Sequence, residues 1–204
     1  MRHGRTAWNA ELRVQGHCDE PLDALGRWQA GQLAQALAGE PLAAIYSSDL
    51  QRAAATAEPL ARQLRLPVVR DPGLRERGFG LFEGFSHAQI QQQWPEAARR
   101  WRERDPGYGP PGGERLVDFY ERSVAAVLQL AARHPGQAVL VVAHGGVLDC
   151  LYRAATRVAL QAPRSWQLGN ASINRLLCTP QGLTLVGWND DAHLAAPPSA
   201  AVSA

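Results

Sequence analysis

Residues 137–143 read QAVLVVA, a short unbroken apolar run, and His144-Gly145-Gly146 follows without a spacer. A strand that is apolar on both faces has to be covered on both faces, as inside a parallel sheet. Parallel neighbours need long crossover connections, usually helices, so this run commits the chain to alternating strands and helices. The rest of the sequence alternates in that way. Residues 23–39 have amphipathic helical spacing, 42–47 (LAAIYS) are strand-like, and 49–64 are helical with Pro59 as a candidate kink. Further on, 67–70 predict a brief strand, 86–104 a polar surface helix, 105–113 (DPGYGPPGG) a loop, and 114–133 and 147–157 two helices. Closing strands are expected at 172–178 and 183–188. The expected fold class is α/β: a three-layer α/β/α arrangement, mostly parallel sheet with helices on both faces. Residues 1–195 form a single domain, and 196–204 a disordered low-complexity tail.

Such sheets collect ligands at the carboxyl ends of their strands, beside helix N-termini. Four stretches place reactive side chains there. His144 ends the best strand, where its alternative role is merely to cap the next helix. Arg52, in SSDLQRAAATAE (47–58), sits in the first turn of a helix that follows a strand; its alternative is a solvated arginine beside Glu58 and Arg62. LRERGFGLFEG (74–84) supplies Glu76 and Glu83. Either carboxyl serves as a proton donor in partly apolar surroundings, and spacing does not rank them. The opening MRHGRTAWN sets Arg2 and His3 side by side ahead of Gly4; its alternative is an idle basic terminus.

Charge narrows the function classes. Lys+Arg number 21 against 19 Asp+Glu, a net charge of +2, which argues against nucleic acid as a partner. The basic residues are arginines, whose planar forks suit oxyanions wherever several converge. Cys18, Cys150 and Cys178 are three, widely spaced and in no CxxC pattern, as expected of a reduced cytoplasmic protein rather than a disulfide framework or zinc site. No apolar run has membrane-spanning length and no signal-peptide core opens the sequence, so no membrane partner is expected.

Two histidines, several arginines and a carboxyl at element ends share one chemical meaning. Arginine forks and a second imidazole stabilise a phosphoryl group as it transfers. A neutral imidazole attacks phosphorus to give phosphohistidine, and a carboxyl protonates the leaving alkoxide and then activates water. No Asp/His cluster has metal-ligand spacing.

The motif RHGRTAWN resembles the RHG signature of the histidine phosphatase superfamily, the phosphoglycerate mutase-like fold. RVQGHCDEPLDALG (13–26), YSSDLQRAAATAEPLA (46–61), LRERGFGLFEG, PGGERLVDFYERS (111–123), VVAHGGVL (141–148) and NASINRL (170–176) follow that family's order, covering nearly the whole chain. The resemblance implies His3 as the phosphorylated nucleophile. Arg2, Arg52 and His144 would clamp the phosphoryl oxygens, Glu76 would be general acid and base, and Asn9, Gln15 and the Gly145 backbone would make lesser phosphate or substrate contacts. It implies a phosphomonoester hydrolase of the smaller, mutase-B-like branch, because 85–110 lacks the longer lysine- and tyrosine-containing insertion of typical mutases. The alternative is a 2,3-bisphosphoglycerate-dependent phosphoglycerate mutase, for which that bisphosphate would be the cofactor; a non-catalytic phospho-ligand binder ranks third. No other cofactor is expected. The partner is a small phosphorylated metabolite, and a homodimer is the assembly the family analogy suggests. With His3 neutral and Glu76 protonated for the first step, an acidic-to-neutral optimum is expected.

Three substitutions depart from the family pattern. Phe82 replaces a common tryptophan, which should only alter packing; Arg115 replaces a serine at the pocket lip; Arg5 replaces an acidic residue. Trp94, Trp101 and Tyr108 are expected to be hydrophobic cover, with an aromatic lid as the alternative. The aliphatic strand expected ahead of Arg2 is represented by Met1 alone, a truncated first strand. The expectation is a sequence that starts late, or else a loosened pocket with His3 displaced.

Overall fold

In the computed structural model, which describes residues 1–195, strand β1 (Leu42–Ser47) runs between two parallel neighbours, β2 (Val68–Arg70) and β3 (Ala138–Val142). The proposed tail, 196–204, lies outside the described residues. A separate antiparallel pair, β4 (Ile173–Thr179) and β5 (Gly182–Asp190), supplies the two closing strands. The fold is α/β with a mostly parallel sheet.

Alternation along the strands builds the layers. Beyond the one-turn helix α1 (Ala7–Ala10), Ile45 of β1 and Leu140 and Val142 of β3 face one side, where they pack with Leu33 of α2 (Ala24–Ala36) and Ala57 and Leu60 of α3 (Gln51–Leu64). Tyr46, Val139 and Val141 face the other side, against Phe119 and Leu130 of α6 (Leu116–Ala132) and Leu148 and Leu151 of α7 (Gly145–Thr156). Each fully buried aliphatic here contributes about 1.5–3 kcal/mol through removal from water. A third cluster, Phe82, Ile90, Ala98 and Tyr108 with Trp94 and Trp101 against it, sits apart from the sheet.

That third cluster corrects one expectation. Residues 86–104 form two helices, α4 (His87–Gln93) and α5 (Pro95–Arg102), not one. Trp94, at φ −136° and ψ 66°, precedes Pro95, and a proline drives the residue before it out of helical geometry. Pro59, by contrast, lies inside α3 without ending it. Helix α7 starts at Gly145, directly on His144, two residues earlier than the apolar spacing indicates.

The first residues are anchored. Ala143 donates its N–H to the Met1 carbonyl (2.9 Å) and accepts the His3 N–H (3.0 Å), a parallel bridge centred on Arg2. Gly4 N–H donates to Thr56 Oγ1, which itself donates to the Arg52 carbonyl. His3 is buried, and its ring lies 5.2 Å from that of His144, so the displaced His3 expected for a truncated strand is not what the structure shows. The reason is local: Met1 and His3 both hydrogen-bond Ala143, and Gly4 hangs on Thr56 of α3.

Candidate active site

Three chain reversals at the carboxyl end of the sheet deliver the charged groups. The Met1–His3 segment ends in His3, β1 leads through Ser47-Ser48 into α3 and Arg52, and β3 leads into His144 and α7. A cavity of about 170 Å3 opens there, lined by Arg2, His3, Asn9, Gln15, Gly16, Arg52 and Glu76 together with Arg13, Val14, Phe79, His87 and Trp101.

His3 is held in one tautomer. Its Nδ1 lies 2.7 Å from the Gly4 carbonyl oxygen, which can only accept, so Nδ1 carries the proton and Nε2 keeps its lone pair. Burial, and after it the positive charges of Arg52 and Arg2, push the His3 pKa well below 6.5, so the ring is neutral near pH 7. His144 is fully buried beside it and shifted the same way, by burial first and then by Arg52, His3 and Arg2. Neither His144 ring nitrogen has a hydrogen-bond partner among the described residues. A buried imidazole with both nitrogens idle is costly, and such groups are commonly reserved for a ligand. The helix-capping alternative fails, because His144 precedes α7 without a side-chain cap bond.

Arg52 is fully buried, and its two Nη atoms donate to the carbonyls of Cys18 (2.7 Å) and Gly16 (2.8 Å), leaving Nε unpartnered. The solvated-arginine alternative is therefore excluded. Arg2 donates from Nη1 to the Leu168 carbonyl, and its Nε is likewise unpartnered. Burial lowers its pKa to about 10, opposed by Glu76. Asn9 and Gln15 have their amide oxygens occupied, Asn9 by Thr6 and Asn170, Gln15 by Thr6. What these two amides offer the cavity is their N–H groups, the polarity an anion needs.

The structure ranks the two carboxyls that spacing alone left equal. Glu76 borders the cavity and is pinned by two backbone donors, Arg77 N–H (2.9 Å) and Gly146 N–H (3.0 Å). Glu83 faces away: it accepts from the backbone N–H of His17 (3.0 Å) and Phe79 (2.9 Å), tying the 16–18 loop to the next turn. Gly16 has φ +53°, and a Cβ there would lie 2.1 Å from the Glu83 carboxylate. Glu83 thus shapes the loop whose carbonyls hold Arg52.

Some functional positions escaped the sequence reading. Asn170 donates to the His3 carbonyl (3.0 Å) and to Asn9 (3.2 Å), bracing His3; it lay in a quoted motif, NASINRL, yet carried no charge to mark it. Arg13, Phe79 and His87 were missed because only folding brings them to the cavity. Trp94 and Tyr108 are cover, as expected, while Trp101 is both cover and cavity wall, stacked on His87 at 4.8 Å. Arg115 is not at the pocket lip; it pairs with Asp118 on the surface, and Arg5 pairs with Asp23. Among the described residues no group of three or more His, Cys, Asp or Glu is placed to hold a metal ion, and no helix is long and apolar enough to cross a membrane.

The sequence profile of the histidine phosphatase superfamily (branch 1) matches residues 1–191. The chain belongs to that superfamily. Among its relatives, phosphoglycerate mutase-like protein 4 of Arabidopsis thaliana is 36% identical over 198 residues, covering 95% of this chain and 85% of that protein. Metal-independent phosphoserine phosphatase of the same plant is 36% identical over 197 residues, covering 95% and 81%. The solved structure of Bacillus stearothermophilus YhfR superposes with a TM-score of 0.87 at 35% identity, covering 95% of this chain and 96% of that one. In this histidine phosphatase Arg2 and His3 of the RHG motif sit at the wall of the cavity described above.

Proposed function

We propose that the protein hydrolyses a small phosphomonoester through a covalent phosphohistidine on His3. The observation that carries this is the fixed tautomer: the Gly4 carbonyl holds the Nδ1 proton and burial keeps the ring neutral, so Nε2 is an available nucleophile. Nε2 attacks phosphorus, the N–P bond forms, and the P–O bond to the alcohol breaks. Glu76 gives its proton to the departing alkoxide. Glu76, now a carboxylate, takes a proton from water, whose oxygen attacks phosphorus and breaks the N–P bond to release inorganic phosphate. Arg2, Arg52, His144 and the N–H groups of Asn9, Gln15 and Gly145 hold the phosphoryl oxygens. The unpartnered nitrogens of Arg2, Arg52 and His144 support these roles. The steps need no metal, in keeping with the name of the phosphoserine phosphatase relative. Three free cysteines support a cytoplasmic location.

The test is to trap the intermediate. Rapid acid-free quenching with a 32P-labelled substrate should show one label per chain, acid-labile and base-stable, absent from His3→Ala, whose fold should stay near native. Appreciable turnover by His3→Ala would refute the nucleophile assignment. The mutase-like name of one relative keeps a second reading in view: production of 2-phosphoglycerate from 3-phosphoglycerate faster than phosphate release would establish it instead.

A further inference from the structure

The small cluster that carries Trp101 has a core of its own, apart from the sheet, so its place over the cavity needs a separate fastening. At its first end the main chain supplies one: Val14 donates to the Phe85 carbonyl (2.9 Å) and accepts the Gly84 N–H (2.8 Å). Past its second end the main chain rejoins α6, where the Pro106 and Tyr108 carbonyls accept from Val117 and Leu116. Between these points α5 and the turn after it reach the body of the fold through one side chain. Of the side chains of residues 95–107, Arg104 alone hydrogen-bonds outside that stretch among the described residues; Arg99 and Arg100 bind Glu96, Glu103 and Asp105 within it.

Arg104 is bonded in two directions. Its N–H donates to the Trp101 carbonyl (3.1 Å), while its guanidinium donates from Nη2 to Asp149 Oδ2 of α7 (2.7 Å) and from Nε to the Leu160 carbonyl (2.6 Å). Its φ is +55°, the left-handed turn that glycine commonly makes at a helix end. A larger residue holds that conformation at a cost, which its side-chain bonds offset. The Asp149 side chain is 7% exposed and that of Arg104 23%, against 70% and 51% for Glu96 and Arg99, so solvent does little to loosen this pair.

Asp149 lies one turn along α7 from Gly145, and α7 opens on the reacting groups: His144 precedes it, and its Gly146 N–H holds the Glu76 carboxylate. The same Asp149 oxygen accepts from Arg153 Nε (3.0 Å), a fully buried guanidinium that packs over the Trp166 ring. Arg104 itself does not line the cavity.

We propose that Arg104 is a positioning residue for the leaving group: through Asp149 it fixes the Trp101 ring relative to α7, and so relative to Glu76 and the phosphoryl site. This rests on the hydrolase reading above, which supplies the alcohol that Trp101 meets.

The variant to make is Arg104→Ala, because Asp149 then keeps Arg153, whereas loss of Asp149 would strand a buried guanidinium. Ethyl phosphate and 2-phenylethyl phosphate have chemically similar leaving groups and differ in bulk. Arg104→Ala should raise KM for the phenylethyl ester about fivefold, leaving KM for the ethyl ester and inhibition by inorganic phosphate near their original values. In a Trp101→Ala background it should have no further effect, since the two residues act as one unit. Arg104→Gly, which relaxes the left-handed backbone, should show the same rise, and Arg104→Lys, with the charge but not the fork, should recover part of it. Hydrogen exchange at the α5 amides of the free protein should quicken about tenfold in Arg104→Ala. Equal KM changes for both esters, additivity with Trp101→Ala, or unchanged α5 exchange would each overturn the proposal. If the unmodified chain releases phosphate from neither ester, the hydrolase reading falls and takes the leaving-group role with it. Exchange needs no turnover, so it tells that failure apart from a failure of the Arg104 anchor.

Discussion

Glu76 and Gly146 meet where no side chain fits between them: the Gly146 N–H donates to the Glu76 carboxylate at 3.0 Å, and a Cβ on Gly146 would lie 2.1 Å from its other oxygen. The glycine both aims the proposed acid and leaves room for it. Gly146→Ala should therefore displace the carboxyl, with Phe119 at 3.0 Å closing the other way out. We expect kcat to fall about 10²-fold on an alkyl phosphate, since small misplacements cost that much. The loss should be smaller on p-nitrophenyl phosphate, whose leaving group needs less protonation, and the Tm should change little. Equal losses on both substrates would mean that Glu76 does not donate the proton.

The buried imidazoles make both activity and stability depend on pH. His3 and His144 have folded pKa values well below 6.5. Below pH 6.5 the unfolded chain therefore binds protons that the folded chain does not, so stability falls as pH falls and is fully present above 6.5. Thermal unfolding between pH 7.5 and 5 should show this decline, and His3→Gln should flatten it. In the same range the acidic limb of kcat/KM should lie below 6.5, because His3 is still neutral there. A limb centred at or above 6.5 would contradict the depressed His3.

Glu83 acts at one remove from the chemistry. Glu83→Ala leaves the N–H groups of His17 and Phe79 without their acceptor, a loss of about 1–3 kcal/mol measurable by urea unfolding. Because the freed loop carries the Gly16 and Cys18 carbonyls, Arg52 should loosen and inhibition by inorganic phosphate should weaken about tenfold. Glu83→Gln, which keeps an oxygen acceptor, should recover most of both effects. A merely structural Glu83 would lower stability without moving phosphate inhibition.

Trp101 lines the cavity, stacked on His87, and is the ring expected to receive the leaving alcohol. Trp101→Ala should raise KM for phosphomonoesters of bulky alcohols several-fold while leaving inhibition by inorganic phosphate near its original value. Parallel changes in both would place Trp101 against the phosphoryl group instead.

Layer order and the reactive ends of strands were legible from local pattern. QAVLVVA could only be a strand covered on both sides, and His144 follows it with no intervening residue to turn it elsewhere. LAAIYS is β1 to the residue, because strand periodicity is short and its neighbours break it cleanly. The split of 86–104 at Trp94–Pro95 was also written locally, in a residue-before-proline rule that the polar helical spacing hid.

What tertiary structure alone decided is every question that turns on what a side chain meets. The sequence by itself determined which residue types stand at the ends of strands: His3, Arg52, Glu76, His144. Spacing was silent on whether Glu76 or Glu83 enters the cavity, because both follow the same loop with the same chemistry, and only the family resemblance pointed to Glu76. Folding separated them by giving Glu76 the Gly146 N–H and Glu83 the 16–18 loop. It also decided that pairing of Met1 and His3 with Ala143 sets the His3 ring against that of His144. Pairing and cavities depend on segments about 140 residues apart, and no local pattern encodes a distance of that kind.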